Sequence, residues 1–253
     1  MFLTSLYTLL SVVVVSLVSL VGVVTLLWSE KKIHKVLLVL VGLSAGTLLG
    51  DAFLHLLPET VQTQGFTLVV SLLVLTGILI FFILEKSIHA HHYDVPSSKH
   101  AHKPKKHHLG SLILFGDGLH NFMDGLAIAA AYLISVPVGV ATTLAVVLHE
   151  IPQEIADFGV LLYAGYSKGK ALFYNFLSAL TAIAGAIVGL VLGRSIESSA
   201  LYILPFTAGG FVYIACSSLI PELHKECGWK ESFWQIFAFV AGIGIMVALL
   251  LLE

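Results

Sequence analysis

Apolar runs of about 20 residues recur along almost the whole chain, and a run of that length crosses a bilayer as one helix. They lie near residues 3–28, 36–57, 66–85, 109–133, 137–163, 170–193, 200–222 and 232–252. In hydrocarbon every backbone N–H and C=O must be satisfied within the protein, so such runs fold as helices. The expected fold is therefore an all-α polytopic membrane protein of eight transmembrane helices, one domain over residues 1–253. Composition excludes a soluble globule: 58% of the residues are hydrophobic, 11% are charged and the mean hydropathy is +0.98. The bilayer is the expected surroundings, and no nucleic-acid partner is expected. The first run has no Lys or Arg before Lys31 and exceeds a secretory signal core, so it is expected to remain as a span.

Basic residues set the orientation. The loops after spans one, three, five and seven carry Lys31, Lys32, Lys35, Lys86, Lys99, Lys103, Lys105, Lys106, Lys168, Lys170, Lys225 and Lys230. The opposite loops carry only Arg194. Lys and Arg stay on the cytoplasmic side, so both termini are expected outside the cytoplasm. A chain without a long ectodomain before its first span is expected in the plasma (cell) membrane. Cys216 and Cys227 form neither a disulfide framework nor a zinc motif.

One long polar segment interrupts the apolar pattern. Residues 86–108 contain His89, His91, His92, His100, His102, His107 and His108, with Pro96 and Pro104 among them. Low hydrophobicity and two prolines predict a disordered cytoplasmic loop. Clustered neutral imidazoles also bind divalent transition metals, so the loop is a candidate for metal capture.

Ionisable side chains inside apolar spans mark a pathway or a site. In span four Asp117, His120, Asn121 and Asp124 stand at i, i+3, i+4 and i+7, one helical stripe. Span five repeats the spacing with Glu150, Gln153, Glu154 and Asp157, and His149 stands at its margin, four residues before Gln153. A turn of a few residues around Ser135 joins the two spans, so they form an antiparallel hairpin whose stripes face each other. Imidazole and carboxylate at i, i+4 suit one cation: His120 with Asp124, and His149 with Gln153, offer nitrogen and oxygen ligands. That mixture suits Zn²⁺ and tolerates Fe²⁺ or Mn²⁺; no thiolates are present to hold the ion irreversibly. Pro152 leaves a gap in the hydrogen-bond ladder of span five. Asp117 and Asp157, taken singly, fit an interhelical hydrogen bond as well as a pathway role. Asp51 and His55 in span two, and Glu222 and His224 after span seven, fit entry and exit stations or ordinary helix-end polarity equally. Asn175 and Ser178 in span six read as packing contacts.

The sequences HNFMDG at 120–125 and HEIPQE at 149–154 resemble the paired signatures of the ZIP family of divalent-metal transporters, nearest the branch with HNFxDG and HExPHE. GDAFLHLLPE, NFLSALTA and AGGFVYIACSSLIPEL extend the resemblance over about residues 36–252. The resemblance implies a 3+2+3 inverted-repeat bundle, a homodimer, and an elevator motion of helices one, four, five and six against two, three, seven and eight. It implies transport of Zn²⁺, and in some members Fe²⁺, Mn²⁺ or Cd²⁺, into the cytoplasm, the metal being cargo rather than cofactor. On its motifs His120, Asp124 and His149 match the main transport site, and Asn121 and Glu150 a second, adjacent position. Gln153 stands where that branch has its second histidine, and Ala182 where some members have a glutamate. Both departures weaken the second position, so one functional site is expected, with Glu150 or Glu154 compensating in part.

Three other readings use the same residues: a divalent-cation channel, a metal-sensing receptor, and an intramembrane metalloprotease. The protease needs a histidine at 153 to complete H-E-x-x-H, and the chain has Gln153 and a helix-distorting Pro152 instead. The chain is therefore not expected to be an enzyme.

Overall fold

The computed structural model describes residues 2–26, 30–93, 106–195, 199–224 and 228–252, and every element among them is helical. The α-helices are α1 (Phe2–Val18), α2 (Glu30–Gly50), α3 (Leu57–Gln64), α4 (Leu68–Tyr93), α5 (Lys106–Ile134) and α6 (Val136–Tyr163). They continue with α7 (Lys168–Ala179), α8 (Thr181–Ser195), α9 (Ser199–Tyr213), α10 (Ile220–Leu223) and α11 (Trp229–Leu249). Six stretches among the described residues are long and apolar enough to cross a membrane: Leu3–Val23, Leu38–Gln64, Leu68–Lys86, Lys168–Gly193, Ala200–Leu219 and Trp229–Leu249. Helices α5 and α6 are 29 and 28 residues long, but both spend positions on polar side chains.

Several elements run end to end. The π-helical stretch Asp51–Leu56 joins α2 to α3, and a second, Ile214–Leu219, joins α9 to α10. Each precedes an aliphatic residue followed by Pro-Glu, Leu57-Pro58-Glu59 and Ile220-Pro221-Glu222. Proline cannot donate to the carbonyl four residues back, and its ring clashes with it; a widened turn ahead of the proline relieves both. The second span therefore continues past Leu57 to Gln64 rather than ending near 57. Likewise α4 continues through Lys86 to Tyr93, because nothing before Pro96 breaks a helix. Of the histidine-rich segment, residues 94–105, with His100 and His102, lie outside the described residues. His89, His91 and His92 fall on α4, and His107 and His108 on α5.

Glycine brings three helix pairs to backbone contact. A Cβ at Gly46 would strike the Phe239 carbonyl and one at Gly242 the Leu43 carbonyl, which knits α2 to α11. Gly77 and Gly209 do the same for α4 and α9 through the carbonyls of Phe206 and Val74. Gly125 and Gly185 meet the carbonyls of Ala182 and Phe122, which joins α5 to α8. Close backbone approach of this kind is how helices pack where burial of apolar surface supplies no drive. The remaining contacts sort the helices into two groups. Helix α1 and the 3₁₀ turn after it lie against α5, α6, α7 and α8, while α2, α3, α4, α9, α10 and α11 contact one another. The groups meet chiefly where α2 crosses α6 and α9 crosses α5.

Candidate metal centre

Ser135 alone separates α5 from α6. Its backbone is extended (φ −155°, ψ 159°) and its side chain accepts from the Val138 amide, with proline in the first turn, so α6 is capped where α5 ends. Two antiparallel helices leaving one residue reach equal depth at equal sequence distance. His120 lies fifteen residues before Ser135 and Glu150 fifteen after it, so both stand about 22 Å along the hairpin. Asp117 and Glu154 pair in the same way, about one turn further on.

Four side chains converge at the first level. The Nε2 atoms of His120 and His149 are 3.1 Å apart. Asp124 Oδ2 is 3.4 Å from His120 Nε2 and 3.3 Å from His149 Nε2. Glu150 Oε1 is 3.3 Å and 3.5 Å from the same two nitrogens. A tetrahedral Zn²⁺ with N and O ligands at its usual 2.0–2.2 Å has ligand–ligand edges of about 3.3 Å. The five distances from the two imidazole nitrogens match that figure, and all four ligand atoms lie within 4.8 Å of one another, close enough to share one ion. His149, Asp124 and Glu150 are no more than 1% exposed and His120 is 11% exposed. Asp124 Oδ1 is buried without a hydrogen-bond partner, and the buried Asp124 Oδ2 and Glu150 Oε1 meet the imidazole Nε2 atoms at 3.3–3.5 Å without hydrogen-bond geometry. Buried carboxylate oxygens left so are costly unless a cation or proton meets them. His149 Nδ1 lies 3.1 Å from the Ala145 carbonyl. Donation there leaves the Nε2 lone pair facing the other three ligands. Phe81 of α4 and Phe211 of α9 stand edge-on to the imidazoles of His120 and His149, with centroids 6.1 Å and 5.9 Å away. The other helix group thus walls the site with apolar rings.

A second group, Asp117, Glu150 and Glu154, brings three buried carboxylates within 4.8 Å of one another. Glu150 belongs to both groups. Helix α7 supports this second level: Ser178 donates to Asp117 Oδ2 and Asn175 donates to Glu154 Oε2. Asn121 stands beside the second cluster. Its amide donates to Asp117 Oδ1 at 2.9 Å and to the Asp117 carbonyl at 3.2 Å, and its Oδ1 is buried without a partner. Gln153 is likewise within hydrogen-bonding reach of the Asp117 carboxylate. Asp157 is half-buried on the same face.

The remaining residues lie apart from both clusters. Asp51 and His55 are buried in the first π-helical stretch. Thr142 of α6 donates to Asp51 Oδ1 at 3.4 Å, and His55 Nε2 is 3.0 Å from the Met246 carbonyl. His224 is exposed at the end of α10, and Glu222 lies on that helix. Cys216 is a free, exposed thiol. The roles of Asn175 and Ser178 as carboxylate partners went unread in the sequence, where only their i, i+3 spacing is visible.

The chain matches the family model for the ZIP zinc transporter over residues 2–112 and 96–250. It is 33% identical over 279 residues to the zinc transporter ZIP13 homolog of Drosophila melanogaster, covering 86% of this chain and 78% of that protein. It is 34% identical over 249 residues to zinc transporter ZIP13 of Mus musculus, covering 83% and 69%. To zinc transporter ZIP10 of Danio rerio it is 40% identical over 149 residues, 56% of this chain but only 18% of that larger protein.

Proposed function

The chain belongs to the ZIP zinc transporter family, and on that premise we propose that it carries divalent transition-metal ions, Zn²⁺ foremost, across the membrane into the cytoplasm. The family is one of transporters, not enzymes, which removes the metalloprotease reading. His120, Asp124, His149 and Glu150 hold the ion in this proposal, and Asp117, Glu150 and Glu154 form an adjacent position. The observation that carries it is the agreement of the five ligand–ligand distances, 3.1–3.5 Å, with the edge of a zinc tetrahedron. The same nitrogen and oxygen donors accept Fe²⁺, Mn²⁺ or Cd²⁺.

The finer architecture belongs to the same proposal. Eight spans in a 3+2+3 inverted repeat, with both termini outside, are supported by the end-to-end helices, the repeated Pro-Glu after each π-helical stretch and the lysine count. An elevator motion of α1 and α5–α8 against α2–α4 and α9–α11 is supported by glycine contacts that lie within each group. Asp51 and His55, and Glu222 and His224, are way-stations at either end of the path. The histidine segment catches metal on the cytoplasmic side. The active form is a homodimer.

The test is uptake of Zn²⁺ by proteoliposomes holding the purified protein. His120→Ala and His149→Ala each abolish uptake while the protein stays folded by circular dichroism. Normal uptake by both variants would overturn the assignment. Flux that never saturates with Zn²⁺ would turn the carrier into a channel.

A further inference from the structure

Pro152 has no N–H, so the Leu148 carbonyl, four residues earlier in α6, lacks its intrahelical donor. The carbonyl is nonetheless bonded: Ser44 Oγ of α2 donates to it at 2.6 Å. Leu148 shares a rigid peptide plane with the backbone nitrogen of His149. A donor on that carbonyl therefore orients the peptide from which the metal-ligand imidazole springs. Ser44 also has a second acceptor within its own helix, the Leu40 carbonyl at 2.8 Å. If α6 moves away, the hydroxyl keeps a partner and only the Leu148 carbonyl is stranded, where water in an opened path can reach it.

The molecule uses the same device once more, and the difference is instructive. Pro205 in α9 deprives the Leu201 carbonyl of its amide, and Gln64 Nε2 of α3 donates to it at 2.8 Å. That pair joins two helices of one group. Ser44 and Leu148 join the two groups, next to a ligand. We propose that Ser44 is a positioning residue: its hydroxyl caps the carbonyl that Pro152 orphans, and so ties the metal-bearing hairpin to α2 with His149 in its ligating orientation. This rests on the site reading above.

The experiment measures Zn²⁺ affinity calorimetrically on the full-length protein in lipid nanodiscs. Loss of the hydrogen bond to this partly buried carbonyl predicts that Ser44→Ala weakens binding about threefold to tenfold. Ser44→Thr keeps the hydroxyl and the native affinity. Pro152→Ala returns an amide to Leu148, so in that background Ser44→Ala changes affinity less than about twofold. Gln64→Ala lowers thermal stability but leaves Zn²⁺ affinity alone. Equal affinities for Ser44→Ala and Ser44→Thr overturn the inference, even if Pro152→Ala does not fold. So does an equal loss from Ser44→Ala in both backgrounds. His149→Ala separates the two levels. If it binds Zn²⁺ like the native protein, the site reading falls and takes this inference with it. If it loses binding while the Ser44 variants do not, only the inference on Ser44 falls.

Discussion

Glu150 sits in both carboxylate-bearing clusters, so its two oxygens can face two ions at once. Glu154 sits in only one of them. The two positions should therefore respond differently to loss of charge. Where both proposed positions fill with Zn²⁺, Glu154→Gln is expected to cost the adjacent position its ion and to leave the four-ligand site within about threefold of native affinity. Glu150→Gln removes an anionic ligand from both positions and is expected to reduce binding at both by at least about tenfold. Calorimetric stoichiometry with Zn²⁺ checks both. At this scale the ligand pairs closest in sequence were legible. His120 and Asp124 are one turn apart on one stripe, and the short turn at Ser135 aligns them with His149. Asn175 and Ser178 were not legible, because their acceptors lie 21 and 61 residues away in the chain. Nor was the turn of Asn121 and Gln153 toward Asp117. Spacing fixes which face of a helix a residue occupies, but side-chain torsion decides which neighbour on that face it meets.

Helix pairing depends on bare backbone at a few glycines, and those positions can be told apart by the space around them. A Cβ at Gly46 would run into the Phe239 carbonyl of α11, which cannot yield without parting the helices. A Cβ at Gly244, on the same helix α11, would meet nothing within 4 Å. Gly46→Val is therefore expected to destabilise by about 2–3 kcal/mol through overpacking. Gly244→Ala is expected to stabilise by about 0.5–1 kcal/mol through helix propensity alone. Thermal unfolding midpoints in detergent, falling for the first and rising for the second, check the pair. The existence of each span was readable from its apolar length. Its end often was not, because hydropathy falls at Pro58 while the backbone, widened by the π-helical stretch before it, carries on as helix to Gln64.

On the proposed elevator motion, the boundary where the two packed groups of helices meet is the place that must move. Bonds within a group should tolerate covalent locking, and bonds across the boundary should not. Ser11 Oγ and Tyr132 Oη, 2.9 Å apart, join α1 to α5 within one group. Met123 of α5 and Thr207 of α9 line one small cavity of about 10 Å³ across the boundary, beside Asp124. Replacing residues 94–105 by a Gly/Ser linker of equal length, which keeps the reach between α4 and α5, is expected to leave the maximal Zn²⁺ uptake rate within about twofold of native, since none of the proposed ligands lies in that segment. The decisive comparison is between two double-cysteine proteins built on a background in which Cys216 and Cys227 are alanine. Bridged by a short bifunctional thiol reagent, Ser11→Cys/Tyr132→Cys should retain uptake, because both residues travel together. Met123→Cys/Thr207→Cys should lose at least about tenfold in rate on bridging and recover it on reduction, because the bridge pins α5 to α9. If the second bridge leaves uptake intact, the two groups do not slide past each other, and transport proceeds through a pathway within a static bundle.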